Sequence, residues 1–542
     1  MYVKIKKYKE NFTRSYLQLV ESFREGNKVR NRIVLNLGRL DNNESVERVN
    51  EFMRLLGPFS SVKSDSIDLE KDLTPLCTRQ YGPLVVFQKL WQELNLDKLL
   101  KDSFHELHTV FDLEKAIFNL VLNRLVAPSS KRHMITFQDC VYGMKQFELH
   151  QYYRAMDYLV DHKEEIEKKL FKLMSGQVKG KVQMALFDTT SIVYYGEEAE
   201  SELLNYGFSK ARRGDLRQIV VGVIMSEDGI PLGHETFAGD CNDVSCFKKI
   251  IEKVAEKFDL KKLIWVGDRG MISKKNIQLL NSMDFEYVLG YRMRTISKSE
   301  RSEIFDKADL KDLKNTKLKY KELEYEGQRL IFCYNEERAL KDAKHRSEIL
   351  ERLKDKLKTG KIDSLIENKD DKKFLDIEGK SPTLSDIKIK KDELFDGIFV
   401  ITSNATTLTP PQVVETYKNL WQIEQGFRQL KDELELGPIY HYTDDRIRSH
   451  VMICFFALIL RRILDKKLKK MEKALSYLSC VEDLKRLDVV ELKVKESEMH
   501  LLTELKLGAK KIFKVINLQL PSKVLYQSAN NPKIVVPRLA SK

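Results

Sequence analysis

Three acidic residues stand where carboxylates could do metal chemistry. Asp188 follows an apolar run in the string LFDTT, and Asp268 follows another in the string WVGDRG. Short apolar runs of this kind predict buried strands, so each aspartate is expected at a strand end. Glu424 lies further on, in a basic and aromatic segment that includes Tyr417 and reads as a helix. Carboxylates in these positions can hold two divalent metal ions for phosphoryl transfer.

Each acid also has a purely structural interpretation. Asp188 could cap the turn after its strand, and Asp268 could do the same or pair with Arg269. Glu424 could be an ordinary helical residue that faces Arg428 at position i+4. These interpretations stay open for each acid alone. Together the three contexts favour a site in which two Mg²⁺, about 4 Å apart, neutralise the carboxylates and activate a water or a 3′-hydroxyl.

Side chains that can bind phosphate accompany Glu424. Tyr417, Glu424, Arg428 and Lys431 are 7, 4 and 3 residues apart in turn, and on a helix these spacings project on neighbouring faces. A carboxylate bracketed by such donors suits a nucleic-acid strand. Tyr417, Arg428 and Lys431 are therefore predicted to bind nucleic acid. A solvated amphipathic helix face is the alternative.

The composition suits a polyanionic partner. The 542 residues include 94 Lys and Arg against 81 Asp and Glu, a net charge of +13. Clustered basic side chains bind phosphates through counterion release, which indicates nucleic acid. A soluble protein that is merely basic is the alternative. With 42% apolar residues, the chain can also build a substantial core.

Cysteine usage and hydropathy indicate a reduced, cytoplasmic protein. The seven cysteines include no CxxC pair, and Cys241 and Cys246 are the closest two. This argues against a zinc module and a disulfide framework. The N-terminus lacks the apolar stretch of a signal peptide. The most apolar segment, 451–460, is too short to span a bilayer, so it predicts a core helix and no membrane partner.

The apolar periodicity divides the chain into six predicted regions. They are a β-rich N-terminal segment (1–44), a helical region expected to bind DNA (45–175), the first part of a catalytic core (176–294), an insertion (295–392), the second part of the core (393–470) and a C-terminal region (471–542). A plain helical bundle is the alternative for 45–175. Within 176–294 the order β-β-β-α-β-α-β predicts an α/β domain with a mixed sheet.

Several single elements are predicted in detail. Gly26-Asn27 reads as a turn between two strands, and 358–373 reads as a solvated linker. A strand is expected over 396–403, with helices over 412–434 and 445–469. Alternating Ile516, Leu518 and Leu520 predict a strand near the end of the chain.

The string from Tyr417 to Leu460 resembles the C-terminal catalytic region of DDE transposases of bacterial insertion sequences, namely insertion-sequence family four and its close relatives. The strings around Asp188 and Asp268 resemble the first and second acids of that family, and the β-rich start ending in NLGRL is similar too. The family signature is Tyr, two residues, Arg, three residues, Glu, six residues, Lys. Tyr417, Glu424 and Lys431 match it. Leu420 stands at the Arg position, which leaves Arg428 as a possible substitute.

This resemblance implies an RNase H-like catalytic domain, a mixed five-stranded sheet with flanking helices, interrupted by an insertion. Asp188, Asp268 and Glu424 would hold Mg²⁺ or Mn²⁺, two ions per active site. The enzyme would cleave the ends of its element and join them to target DNA, with cut-and-paste transposition expected. Its partners would be double-stranded transposon ends and target DNA, bridged by a homodimer, and it would be associated with the nucleoid.

Two alternatives to an active transposase follow from the same resemblance. One is a DNA-binding protein that has lost catalysis, and the other is a metal-dependent nuclease without strand transfer. Relatives stack a flipped base on an aromatic residue of the insertion. This insertion has no Trp, so Phe332 or Tyr334 would have to serve, and a hairpin intermediate stays an open question.

Overall fold

The computed structural model describes residues 2–9, 13–25, 28–39, 47, 73–177, 184–197, 200–210, 213–257, 263–293, 296, 309–314, 316–358, 373–378, 381–471, 476–494 and 497–527. The chain forms two compact units. The first consists of Met1–Leu170, Leu430–Leu436 and Asp445–Lys542, and the second of Phe171–Gln429 and Gly437–Asp444. The predicted turn at Gly26-Asn27 and residues 359–372 of the predicted linker lie outside the described residues.

The helices and strands follow in chain order. Before residue 180 they are β1 (Tyr2–Lys9), β2 (Thr13–Glu25), β3 (Lys28–Arg39), β4 (Leu73–Gln80), α1 (Gly82–Glu93), α2 (Leu96–Ser103), α3 (Leu113–Val126), a 3₁₀ turn (Lys131–His133), α4 (Met134–Asp139), α5 (Leu149–Asp161) and α6 (Lys163–Ser175). From 184 to 335 they are β5 (Met184–Val193), β6 (Gln218–Ser226), β7 (Pro231–Ala238), α7 (Asp243–Lys257), β8 (Ile264–Gly267), α8 (Lys274–Ser282), β9 (Glu286–Gly290), β10 (Lys311–Asp312), β11 (Leu318–Tyr325) and β12 (Gln328–Asn335). Then come α9 (Glu336–Lys358), β13 (Leu375–Glu378), β14 (Ser381–Leu384), α10 (Asp386–Glu393), β15 (Ile398–Ser403), α11 (Pro410–Lys418), α12 (Trp421–Arg428), a π-helical turn (Gln429–Glu433), α13 (Asp444–Lys469), α14 (Tyr477–Lys485), β16 (Asp488–Val494), β17 (Ser497–Leu502), α15 (Leu507–Val515) and β18 (Val524–Gln527).

The first unit has a long apolar helix in its core. Nearly every residue of α13 from Ile447 to Leu464 is buried, so the core helix predicted from the segment 451–460 is confirmed. Trp91 of α1 packs its ring against Phe118 and Phe456, with 5.5 Å between ring centroids in both pairs. Within the described parts of the chain, no helix is long and apolar enough to cross a membrane.

Two sheets complete the first unit. β1, β2 and β3 pair antiparallel at the start of the chain, and the second sheet has the order β18-β17-β16-β4. The strand predicted from Ile516, Leu518 and Leu520 is wrong. α15 ends just before Ile516, Asn517 adopts a left-handed φ of 50°, and the N–H of Leu518 donates to the carbonyl of Phe513 at 2.8 Å. The alternating apolar residues from Ile516 onward therefore follow the C-terminal end of a helix and do not mark a strand.

One mixed sheet dominates the second unit. Its order is β10-β11-β12-β15-β9-β8-β5-β6-β7, so the α/β fold class with a mixed sheet is confirmed. Five strands were predicted, whereas the described residues form nine strands in this sheet. β12 pairs antiparallel with β15, and so β10–β12, which lie in the predicted insertion, continue the sheet. Phe187, Phe247 and Trp265 fill its core, with 5.7 Å and 5.8 Å between successive ring centroids.

The helix predicted over 412–434 is divided into three segments. α11 starts at the two prolines, where Thr409 and Gln412 form a capping box. The helix stops after Lys418 and restarts as α12 at Trp421, and a π-helical turn follows from Gln429. The division matters because it places Glu424 in the first turn of its own helix.

Candidate active site

The register of the sheet places the two aspartates side by side. β5 and β8 are parallel neighbours, and Phe187 is paired with Gly267. Asp188 and Asp268 are the next residue in each case, so they lie at the same level on neighbouring strands. Asp268 directly follows the last residue of β8, whereas Asp188 lies within β5, so the predicted position of Asp188 at a strand end is wrong. β5 continues to Val193, so no turn follows Asp188. The interpretation of Asp188 as a cap of such a turn is therefore wrong.

Glu424 lies on the same cleft as both aspartates. This catalytic cleft has a volume of about 550 Å³, and Tyr417, Trp421 and Lys341 also line it. The side chain of Trp421 is 48% exposed. Glu424 and Arg428 are both exposed on α12, and no ion pair joins their side chains. The structure therefore brings the three sequence-predicted acids together on one surface.

The three acids share a cleft without forming a closed metal site. Among the described residues, no group of three His, Cys, Asp or Glu side chains is close enough to hold a metal ion. Their chemistry nevertheless fits Mg²⁺ or Mn²⁺, because oxygen donors from a few carboxylates, completed by waters and substrate phosphates, are the ligands these ions take. Asp188, Asp268 and Glu424 are the donors that such ions would find on this cleft.

The environment of Asp188 disfavours its charge. Burial raises the pKa of its carboxyl to about 6, and the nearby charges of Asp243 and Asp268 add to the effect. Lys210 acts in the opposite direction, with its Nζ 3.7 Å from Asp188 Oδ1. The backbone N–H of Thr189 also donates to Asp188 Oδ1 at 2.7 Å. A further positive charge beside this carboxylate would therefore stabilise its ionised form.

Tyr417 holds the second aspartate. Its hydroxyl donates to Asp268 Oδ1 at 3.2 Å, and its ring stacks on Phe399 with 6.2 Å between centroids. Burial, together with the charge of Asp268, raises the pKa of Tyr417 well above its ordinary value. Gly290 makes room for this contact, since a Cβ there would lie 2.5 Å from the Tyr417 oxygen. The hydroxyl therefore stays protonated and acts as a donor.

The other two predicted nucleic-acid contacts are not on the cleft surface just described. Arg428 is exposed at the end of α12 and is not among the residues that line the cleft. Lys431 belongs to the first unit, in the π-helical turn. Leu420, at the family's Arg position, does line the cleft, next to Lys418.

Two polar residues near Asp188 were not predicted as site residues from the sequence. Asp243 accepts a hydrogen bond from Thr189 Oγ1 at 2.5 Å, and Lys210 Nζ donates to the carbonyl of Thr189 at 2.6 Å. At the start of α7 the side chain of Asn242, and not that of Asp243, accepts the capping bond from the N–H of Ser245. No motif or periodicity marks either residue in the sequence.

Phe332 cannot serve as a platform for a flipped base. Its side chain is fully buried in a core cluster with Leu330, Ile398 and Val400. The prediction for Phe332 is therefore wrong, because position 332 faces the sheet's own core. Tyr334, two residues further along β12, is half-buried and packs at the rim of that cluster.

Two family models match the chain. The model described as "Transposase DDE domain" matches residues 185–460, more than half of the chain, and contains all three acids. The model described as "IS1634 family transposase, N-terminal domain" matches residues 3–61. No curated protein matches the chain.

Two solved structures show a distant likeness. The piggyBac transposase synaptic complex with hairpin DNA is 9% identical over 74% of this chain and 79% of that chain, with a TM-score of 0.38. The Mos1 transposase paired-end complex with left transposon end is 13% identical over 46% of this chain and 68% of that chain, with a TM-score of 0.15.

Proposed function

Since the chain belongs to the DDE transposases of bacterial insertion sequences and is therefore a DNA transposase, we propose that Asp188, Asp268 and Glu424 form its active site. The observation that carries this proposal is geometric. The parallel register of β5 and β8 sets the two aspartates side by side on neighbouring strands, and Glu424 lines the same catalytic cleft. The match of the family signature at Tyr417, Glu424 and Lys431 also supports membership of insertion-sequence family four or a close relative.

The three carboxylates would hold two Mg²⁺ or Mn²⁺ ions. When bound, such ions supply Lewis-acid activation of the attacking oxygen and stabilisation of the leaving oxygen. Asp188 favours this role, since the burial that raises its pKa makes a neighbouring positive charge stabilising. Ions of this kind would also relieve the repulsion between Asp188 and Asp268.

Neighbouring side chains of the chain itself would orient the acids and the DNA. Tyr417 fixes one oxygen of Asp268 through its hydroxyl, which leaves the other oxygen directed elsewhere. Lys341 and Lys418 give the cleft positive charges for phosphate oxygens. Arg428 and Lys431 would contact the DNA backbone away from the cleft, and Leu420, which lines the cleft, provides no donor there. The exposed ring of Trp421 offers an apolar surface beside the acids.

The partners of this site would be the double-stranded ends of the element and the target DNA. The net charge of +13 supports such a partner. A homodimer would bridge the two ends, cut-and-paste transposition would follow, and the helical region 45–175 would supply much of the DNA contact. The protein would work in the cytoplasm at the nucleoid, and the six predicted regions remain our assignment of the domains.

The first prediction tests the acids directly. Asp188→Ala, Asp268→Ala and Glu424→Gln should each lower cleavage of the element's ends in Mg²⁺ by at least about 100-fold, since each removes a charge that the reaction needs. A cleavage assay on labelled terminal DNA measures this. Glu337→Gln is the matched control, because Glu337 lines the same cleft but pairs with Lys317. Full activity in any of the first three variants would remove that residue from the proposed site.

Analysis of the products separates the alternative activities. A transposase joins the freed 3′ end to target DNA, whereas a nuclease releases the end without joining it. A derived DNA-binding protein would bind the end sequence with ordinary affinity and cleave nothing. The same labelled substrate, followed to its joined product, distinguishes all three.

A further inference from the structure

A second cleft lies beside Asp188 and is absent from the proposed mechanism. Its volume is about 570 Å³, which is within the range of about 300–1,000 Å³ typical of ligand sites. It is lined by one aromatic ring, two cations, the carboxylate of Asp243 and several short polar side chains, among them Phe208, Lys210, Arg292, Ser191, Asn242 and Ser245. A cleft of this size accepts one or two nucleotides and excludes a double helix.

Phe208 is the feature of this cleft that most needs an explanation. Its side chain is 87% exposed, more than any other aromatic side chain among the described residues. Because so little of its apolar surface is buried by the protein, the ring is available to stack on a ligand, and burial against such a ligand would be favourable. Tyr206, two residues earlier, is also exposed, and Arg217 lies over its ring at 5.9 Å from the centroid.

The loop that carries Phe208 is anchored on both sides of the ring. The carbonyl of Phe208 accepts a hydrogen bond from Nε2 of the buried Gln218 at 3.2 Å. A Cβ at Gly207 would lie 2.0 Å from the carbonyl oxygen of Gly239, so the backbone passes very close there. On the other side, the N–H of Lys210 donates to Ser191 Oγ at 2.8 Å. The ring is therefore presented to solvent by a fixed backbone.

Lys210 connects this cleft with the catalytic cleft. It lines the second cleft, and its Nζ lies 3.7 Å from Asp188 Oδ1 on the first. The segment from Tyr206 to Arg217 is basic, with four Lys or Arg residues and one Asp. A DNA strand held at Asp188 would thus have its next nucleotides close to positive charge and an exposed ring.

We propose that the second cleft binds a nucleotide of a single DNA strand whose base has left the double helix and stacks on Phe208. A paired base keeps both faces inside the duplex stack, so an isolated ring can stack only on a base that has swung out. Lys210 and Arg292 provide charge for the phosphates, and Asn242 and Ser245 provide polar groups for the base edge. This inference rests on the proposed function, because it assumes that DNA strands pass Asp188.

Binding of a defined probe tests the proposal without any cleavage. The probe is a single-stranded oligonucleotide of about ten nucleotides that carries one 2-aminopurine, a length that such surfaces cover. In EDTA, the full-length protein should bind it and quench the 2-aminopurine fluorescence. Phe208→Ala should weaken binding by about 5- to 100-fold and abolish the quenching, because one stacked base is lost. Phe208→Trp should restore both.

Matched controls make the outcome specific. Tyr440→Ser removes another exposed aromatic side chain of the same unit that does not line this cleft, and it should bind the probe normally. Ser245→Tyr fills the cleft and should reproduce the loss seen with Phe208→Ala. A fully paired duplex without unpaired bases should bind wild type and Phe208→Ala equally well.

Three results would overturn the proposal. They are unchanged probe binding in Phe208→Ala, an equal loss in Tyr440→Ser, and a changed sedimentation mass in Phe208→Ala with probe binding intact. The last would assign the ring to a protein contact. If the proposed function is wrong, the result is different: neither the wild-type protein nor any Phe208 variant would cleave terminal DNA.

Discussion

At the scale of single residues, Cys241 and Cys246 form an unusual thiol pair beside the active site. Their Sγ atoms are 2.9 Å apart, and the thiol of Cys246 donates to Cys241. This hydrogen bond lowers the pKa of Cys241 to about 7, helped by the charge of Lys249. The same coupling, together with burial, raises the pKa of Cys246. Cys241 is the partly exposed member, so it is the one that reagents reach.

We expect Cys241 to react as a thiolate at neutral pH. The thiolate is the reactive form, so its alkylation rate should rise with pH through a midpoint near 7, well below the usual value of about 8.5. Peptide mass spectrometry after timed iodoacetamide treatment measures the rate, with the exposed Cys140 as reference. Cys246→Ser should move the midpoint upward. An unchanged midpoint in that variant would contradict the assigned cause.

The acids could be located from the sequence because the short apolar runs before them can be recognised locally, although only Asp268 lies at a strand end. Asp188 and Asp268 each follow a short apolar run, and neighbouring parallel strands bring such positions together. Lys210 and Asp243 could not be found in this way. Their role depends on contacts with Thr189 across 21 and 54 residues, and no local pattern encodes a contact between a loop, a helix start and a strand.

At the scale of elements, β9 supports the tyrosine that holds Asp268. A Cβ at Gly290 would lie 2.5 Å from the Tyr417 oxygen and 2.9 Å from the backbone nitrogen of Arg269. Backbone cannot move aside cheaply, so an added methyl group must displace Tyr417, the loop after β8, or both. A glycine is therefore required at position 290, because Tyr417 of α11 and the loop after β8 both approach its backbone closely.

Gly290→Ala should disturb the active site more than the fold. We expect a loss of about 1–3 kcal/mol in the free energy of unfolding and a fall of at least about 10-fold in end cleavage. Urea unfolding and the cleavage assay measure the two effects. Gly233→Ala in β7 is the matched control, since a Cβ there would meet Ile224 at an ordinary 3.6 Å. Equal activity in both variants would refute the role of Gly290.

Element types were predicted more successfully than their boundaries and connections. The helices and strands between 218 and 290 follow their periodicity closely. The break between α11 and α12 was missed because residues 412–434 keep a helical pattern through Asn419 and Leu420. The extra strands were missed as part of the sheet because β12 and β15 are separated by more than sixty residues, and sequence periodicity does not reveal which strands pair.

At the scale of the whole molecule, one buried lysine links stability to pH. Lys131 is buried in the first unit, with Nζ 3.3 Å from His450 Nδ1. Burial, together with the charge of Arg124, lowers the pKa of Lys131 to about 7, against a smaller opposing effect of Cys454. The folded chain therefore resists charging this side chain.

The free energy of unfolding should gain a contribution from Lys131 as the pH rises. Between about 7 and 10.5 the unfolded chain still binds the proton that the folded chain has released, so stability increases with pH across this window. The slope is at most about 1.4 kcal/mol per pH unit. Chemical unfolding of wild type and Lys131→Met from pH 6 to 10 measures the difference. If the two curves run parallel, Lys131 is charged in the folded state.

The nine-stranded sheet limits how this enzyme can be shortened. β15 is covered on one side by β9 and on the other by β12. Deletion of β10–β12 would leave β15 as an exposed edge strand. Its unpaired backbone N–H and C=O groups could then pair with a strand of another molecule, which leads to aggregation. The strands β10–β12 therefore cannot simply be deleted, and a shortened variant would need another element to cover the edge of β15.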